Sequence, residues 1–136
     1  MTSVDNNENN RTGNITILLV EDNKPLLEFF STILRREGYE VITAENGLEA
    51  LDIAKSRSGE RIDILLSDVA MPYMGGVQLA LSLREIWPDI RVLLTSAMPF
   101  EEVSDQFGPT FQPEFLAKPF LVSELTDKIK MLLADN

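Results

Sequence analysis

Residues 65–76 read LLSDVAMPYMGG: an apolar run that begins at Ile62 ends in a single carboxylate, Asp68, and the chain then turns through Met71 and Pro72 towards two glycines. A short run such as IDILLS (62–67), bounded by turn residues, suits a strand buried on both faces. The period changes after Gly75 and Gly76. Val77, Ala80, Leu81, Leu83 and Trp87 follow helical spacing, and Pro88 prevents continuation. The stretch therefore predicts strand, loop and helix in succession, with one charge set at the carboxyl end of the strand.

The same unit recurs on either side. Further apolar segments are ITILLV (15–20), YEVITA (39–44), RVLLTS (91–96) and the shorter EFLAK (114–118). After the first comes a helical pattern with Pro25 in an early turn, Leu26, Phe29, Phe30, Ile33 and Leu34 at helix-face spacing, and Gly38 as a stop. A second helix opens at Asn46 with Glu49 three residues on, a capping-box-like pair, and carries Leu48, Leu51 and Ala54. Ser123 and Glu124 open the last, striped by Leu125, Ile129 and Leu132. The fourth, PFEEVSDQFGPTFQP (99–113), contains Gly108, Pro109 and Pro113, so at most two turns fit around Glu101 to Phe107. Strands alternating with helices imply a five-stranded parallel sheet with helices on both faces, because each crossover is right-handed.

Composition narrows the chemistry. A chain of 136 residues, 44% hydrophobic and 25% charged, is the size and balance of one globular domain. Residues 1–13, MTSVDNNENNRTG, are polar and aperiodic and read as a disordered tail, leaving 14–136 as the domain. No apolar run spans a bilayer and no signal pattern opens the chain, so no membrane association and a cytoplasmic location are expected. With neither cysteine nor histidine, thiol chemistry, zinc thiolate sites and an imidazole base are excluded. A net charge of −10 argues against direct nucleic-acid binding.

In parallel sheets of this kind ligands bind beyond the carboxyl ends of the strands. Those ends carry Glu21 and Asp22, Asp68, Thr95 and Ser96, and Lys118 and Pro119. Singly, each has an ordinary reading: a helix cap for Asp22 or Asn23, a turn for Asp68, a loop hydroxyl for Ser96, a solvated charge for Lys118. Drawn together, three carboxylates repel by roughly 4 kcal/mol per close pair at an effective dielectric of about 20. Lys118 compensates one charge, and the remaining hard oxygens suit Mg²⁺ better than zinc or copper. Acids with one lysine read as a phosphoryl-handling site.

LLVEDN with Pro25, LLSDVAMPYMGG, LLTSA and FLAKPF, in this order and spacing, resemble the receiver domain of two-component response regulators over residues 15–134. The resemblance implies a flavodoxin-like, doubly wound sheet of order 2-1-3-4-5. It further implies Asp68 as phosphoacceptor, Asp22 as direct Mg²⁺ ligand, Glu21 acting through water, and the Ala70 carbonyl as a further ligand. Lys118 is similar to the lysine that pairs with the acceptor and then with phosphate, before a cis bond to Pro119. Ser96 takes the switch-hydroxyl position, with Thr95 the runner-up on the other side of the strand. Phe115, three residues before the lysine, takes the aromatic switch position without a tyrosine hydroxyl.

A histidine kinase or histidine phosphotransfer protein is the implied donor, since this chain has no histidine of its own. The downstream protein target is not named by the residues, and the resemblance leaves room for a phosphorylation-dependent dimer. Ala70 and Met98 depart from the family's commonest polar choices, which implies slow self-dephosphorylation. The irregular 99–113 segment lies where the family has part of its output face, implying a different partner. VLLTSAM (92–98) is similar to receivers of hybrid sensor kinases, so both a stand-alone regulator and a receiver cut from a longer chain stay open.

Three alternatives compete with this reading. A flavodoxin needs a hydroxyl- and glycine-rich phosphate loop where this chain has VEDNKP. An aspartyl phosphatase of the haloacid-dehalogenase type needs a second Asp where Ala70 stands. A phosphorylation-independent docking module is expected to lack an acid, the acceptor or the lysine.

Overall fold

The computed structural model describes residues 15–108 and 110–134; the expected tail at 1–13 and the helix-breaking Pro109 lie outside the described residues. The strands are β1 (Thr16–Val20), β2 (Glu40–Ala44), β3 (Ile64–Asp68), β4 (Arg91–Ser96) and β5 (Glu114–Ala117). Between and after them come α1 (Lys24–Arg36), α2 (Gly47–Ser56), α3 (Gly76–Ile86), α4 (Phe100–Ser104) and α5 (Val122–Ala134). All pairings are parallel and the sheet order is β2-β1-β3-β4-β5. From β1 the chain goes outward to β2, then crosses back to β3 on the other side of β1. That reversal sets the ends of β1 and β3 side by side.

The apolar runs are explained by burial on both faces of the sheet. Leu18, Val20, Leu65, Val92 and Leu94 pack on one face with Ala50 and Ala54 of α2 and Val77, Leu79, Ala80 and Leu83 of α3. Ile17, Leu19, Ile64, Leu66 and Leu93 pack on the other with Leu27 and Leu34 of α1 and Leu125, Ile129 and Leu132 of α5. Odd and even strand positions thus serve opposite layers, as the two-residue period requires.

Capping fixes where the helices begin. The Asn23 side chain accepts from the Leu26 amide at 3.1 Å, and Asn46 accepts from the Glu49 amide at 2.8 Å. The Glu49 carboxylate reaches back to the Glu45 amide at 2.6 Å, one residue before the cap. Glu124 accepts from the Leu121 amide at 2.7 Å, so α5 opens at Val122, one residue ahead of the expected Ser123. Gly38 follows α1 with φ 100°, a conformation that side chains disfavour.

Helix rotation departs from the sequence expectation in three places. In α1 the sheet-facing residues are Leu27, Ser31 and Leu34, whereas Phe29 is 52% exposed. The apolar stripe of Leu26, Phe29, Phe30, Ile33 and Leu34 is wider than the face that meets the sheet, and Phe30 stacks on Phe120 with ring centroids 5.4 Å apart. In α2 the small residues Gly47, Ala50 and Ala54 are buried and Leu48 is half exposed; in α3 Leu79, not Leu81, faces inward. The fourth helix is short, with a single run from Phe100 to Ser104 before the chain turns. Among the described residues no helix is long and apolar enough to cross a membrane.

Close approach of the β3–α3 loop to α2 accounts for Gly47. A Cβ there would collide with the Met74 carbonyl, which is backbone and cannot rotate away. Gly47→Ala is expected to destabilise the protein by about 1–3 kcal/mol in urea unfolding through overpacking. Gly59→Ala, with open space around it, serves as the control and is expected to stay within about 0.5 kcal/mol of wild type.

Candidate functional site

Four strand ends converge at the point where the strand order reverses. Past Val20 the chain is held by the Glu21 amide donating to the Ala44 carbonyl at 3.2 Å, and the Glu21 side chain turns inward, 4% exposed. One carboxylate oxygen of Glu21 accepts from the Asn23 amide at 3.1 Å; the other accepts from Lys118 Nζ at 3.2 Å. The same Nζ lies 3.0 Å from Asp68 Oδ2, while Asp68 Oδ1 accepts from the Ala70 amide at 3.3 Å. Asp22 stays exposed beside them, and carboxylate oxygens of Glu21, Asp22 and Asp68 all lie within 4.8 Å of one another.

Backbone bonds hold this arrangement. The Val69 amide donates to the Thr95 carbonyl at 2.8 Å, the Gly76 amide to the Val69 carbonyl at 2.9 Å, and the Lys118 amide to the Ser96 carbonyl at 2.8 Å. Asp68 and Lys118 are therefore each tied to β4 within one residue of the charge they carry. The Lys118–Pro119 peptide bond is cis.

Both ionisable groups are pushed up, for different reasons. Burial raises the Glu21 carboxyl above its ordinary range, opposed by the Asn23 amide and by Lys118, with the Asp68 charge adding to the rise. For Lys118 burial alone works against the ammonium. The hydrogen bond and charge of Asp68, followed by those of Glu21, outweigh it and hold the pKa above the usual lysine value. Three carboxylates against one ammonium leave a local excess of negative charge beside the exposed Asp22.

Chemically this donor set is hard oxygen only, with an open side, which fits a divalent cation that keeps part of its water. Glu21, Asp22 and Asp68 are the carboxylates placed to hold it. Ser96 is 1% exposed, and its oxygen accepts from the Met98 amide at 2.8 Å, which leaves the hydroxyl proton for another acceptor. Thr95 is the register partner of Asp68 and borders, with Glu21, Asp68 and Phe120, a crevice of about 10 Å³. Phe115 is half-buried, paired in register with Leu94, and meets Phe100 edge-on at 5.3 Å.

Three features lay outside the sequence reading. Lys118 has a second anion partner in Glu21, and the Asn23 amide restrains Glu21 while the Asn23 side chain caps α1. The adjacency of Asn23 to the acid pair was the available signal. Tyr73 is another: it has φ 71° in a loop where the Met74 amide bonds the Pro72 carbonyl at 2.8 Å, and nothing in its residue type forecasts that conformation.

Comparison with known proteins follows the same lines. The family model described as the response regulator receiver domain matches residues 17–130. The sensor kinase CckA of Brucella abortus is 35% identical over 122 residues, covering 90% of this chain but only 13% of that protein. Sporulation initiation phosphotransferase F of Bacillus subtilis is 31% identical over 120 residues, covering 88% of this chain and 94% of that one. Among solved structures, the response regulator protein TrrA from Thermotoga maritima in complex with Mg²⁺-BeF has a TM-score of 0.73 at 31% identity, covering 87% of this chain and 98% of that one.

Because the folded environment raises the Glu21 pKa, its protonated form is favoured on folding. The associated stability is present below the ordinary glutamate value of 4.5 and lost as pH rises through the higher folded value. With chelator present, Glu21→Gln is expected to be more stable than wild type at neutral pH, and the gain is expected to shrink towards pH 4.5 in urea titrations.

Proposed function

The chain belongs to the response regulator receiver domain family, and on that premise we propose that it is a phosphoacceptor switch that takes one phosphoryl group onto Asp68. The observation that carries the proposal is Lys118 Nζ bridging Asp68 and Glu21 at 3.0 and 3.2 Å, within a cluster whose three carboxylates approach to 4.8 Å. A phosphorylation-independent docking module has no use for that bridge.

In the proposed reaction an Asp68 carboxylate oxygen attacks phosphorus as the bond from phosphorus to the donor's nitrogen breaks, and an acyl phosphate forms on Asp68. Lys118 is already within reach of the acceptor and pairs with a phosphoryl oxygen as charge transfers to it. Ser96, accepting from Met98, donates its hydroxyl proton to another phosphoryl oxygen. Glu21, Asp22 and the Ala70 carbonyl would hold Mg²⁺ together with Asp68. When bound, Mg²⁺ supplies positive charge that offsets the negative charge of the phosphoryl oxygens during transfer.

The donor is proposed to be a phosphohistidine on a histidine kinase or phosphotransfer protein, since this chain contains no histidine. Both contexts represented by the relatives, a receiver within a sensor kinase and a protein of similar length to this one, suit the reading. Phe115 is proposed as the side chain that repacks once Ser96 engages the phosphoryl group, because it lies on β5 beside Leu94 of the Ser96 strand and its ring meets Phe100.

Incubation with acetyl phosphate and Mg²⁺, followed by intact-mass measurement, is expected to show one added phosphoryl group on wild type. None is expected on Asp68→Asn or in excess EDTA, and uptake by that variant at the wild-type level would overturn the assignment of Asp68. Neither the Ala70 nor the Met98 side chain carries an amide or a charge to orient attacking water. Ala70→Asn is therefore expected to speed loss of the phosphoryl group roughly tenfold, read as the decay of the phosphorylated mass.

A further inference from the structure

The inner wall of the acidic site carries a hydroxyl that the proposed transfer leaves unused. Thr95 of β4 is in register with Asp68 of β3. Counting by twos, Thr95 continues the row of Leu93 and Asp68 the row of Leu66, and both leucines pack in the layer of α1 and α5. The two side chains therefore leave neighbouring strands in the same direction, about 5 Å apart at the backbone.

Thr95 is 5% exposed, and among the described residues its hydroxyl has no hydrogen-bond partner. Every side-chain oxygen or nitrogen that is fully sealed among those residues does have one, so this hydroxyl borders open space. The space that Thr95 lines is the crevice of about 10 Å³, on the scale of a single water. Its lining is of two kinds. Leu125 and the stacked rings of Phe30 and Phe120 are apolar, whereas Glu21, Asp68 and Thr95 bring polar oxygens.

Those oxygens have capacity left. The two of Glu21 accept one bond each, from Asn23 and Lys118, and the two of Asp68 one each, from Ala70 and Lys118. A carboxylate oxygen has two lone pairs. Both acids can thus take another donor, while Thr95 holds a proton that no protein group accepts.

We propose that the crevice holds one ordered water, which accepts the Thr95 proton and donates to Glu21 and to Asp68. Three bonds are the usual number for a buried water. Thr95 is then a positioning residue: through the water it holds two carboxylates in one arrangement before a cation arrives, and it raises Mg²⁺ affinity without touching the ion. Outer hydrogen bonds of this kind orient metal-binding groups. The positioning role rests on the reading of Glu21 and Asp68 as cation-holding groups, whereas the water does not.

The test combines crystal structures of wild type and Thr95→Val with calorimetric titration of Mg²⁺ into these two full chains and into Thr95→Ser. Wild type is expected to show a water within hydrogen-bond reach of Thr95 Oγ1 and of one oxygen each of Glu21 and Asp68. That observation needs no variant. Thr95→Val keeps the shape of the side chain without the hydroxyl, and is expected to lose the water and to bind Mg²⁺ about fivefold more weakly. Thr95→Ser keeps the hydroxyl without the methyl and is expected to bind as wild type does. No water at this place in wild type, unchanged affinity in Thr95→Val, or equal weakening in Thr95→Ser, which marks packing and not the hydroxyl, would each overturn the proposal. Wild type that holds the water yet binds no Mg²⁺ would instead overturn the cation reading on which the positioning role rests.

Discussion

One ammonium group holds three strand ends in a shared electrostatic environment. Lys118 reaches from the end of β5 across β4 to Asp68 and on to Glu21. Without that bridge the sheet's carboxyl edge would bring acids together with no internal counter-charge, and Glu21 would be a buried anion restrained only by the Asn23 amide. Breaking a buried ion pair leaves the remaining charge uncompensated, and that penalty is larger than the pair's own contribution to stability. The geometry is therefore specified more strictly than its net energy suggests. It is also incomplete in charge, because the acids outnumber the lysine, and the shortfall is what suits the edge to a cation and a phosphoryl group.

The sheet makes that bridge attainable. Because β1 and β3 are neighbours, residues 21 and 68 emerge next to each other although the chain travels out to β2 and back between them. Burial on both faces fixes the strands in register, since a slip by one residue would exchange the side chains of the two cores. Glycines then allow the loops to close: Gly47 beneath Met74 and Gly76 beneath the Asp68 carbonyl leave no room for a side chain. The loop that follows Asp68 is thereby packed against α2 and α3 and does not hang free.

The other side of β4 and β5 is organised differently. There α4 is one short run, and rings take over the packing that a longer helix would supply. Phe111 and Val103 are buried, Phe107 and Phe115 partly so, and Phe100 is half exposed. Rings that meet edge to face can pack an irregular backbone because each pair tolerates a range of angles. The array also connects the half-buried Phe115, next to the Ser96 strand, with Phe111 and the guanidinium of Arg84.

Much of this was legible before any coordinates. The apolar runs, a cap at Asp22 or Asn23 and one at Asn46, the stripe Leu125–Ile129–Leu132 and the brevity of the fourth helix follow from local rules, because burial period, side-chain capping and proline sterics act over a few residues. Helix rotation did not follow. In α1 the apolar residues cover more than one face, and only contact with the sheet and with Phe120 selected Leu27 and Ser31 over Phe29. The positive φ of Tyr73 likewise comes from loop closure, not from residue type. For the site, the sequence by itself determined which carboxylates, hydroxyl and lysine sit at strand ends, because those ends are marked by where apolar runs stop. Only the tertiary structure decided that one Nζ serves both Glu21 and Asp68, because that depends on strand order and side-chain reach between segments far apart in the chain.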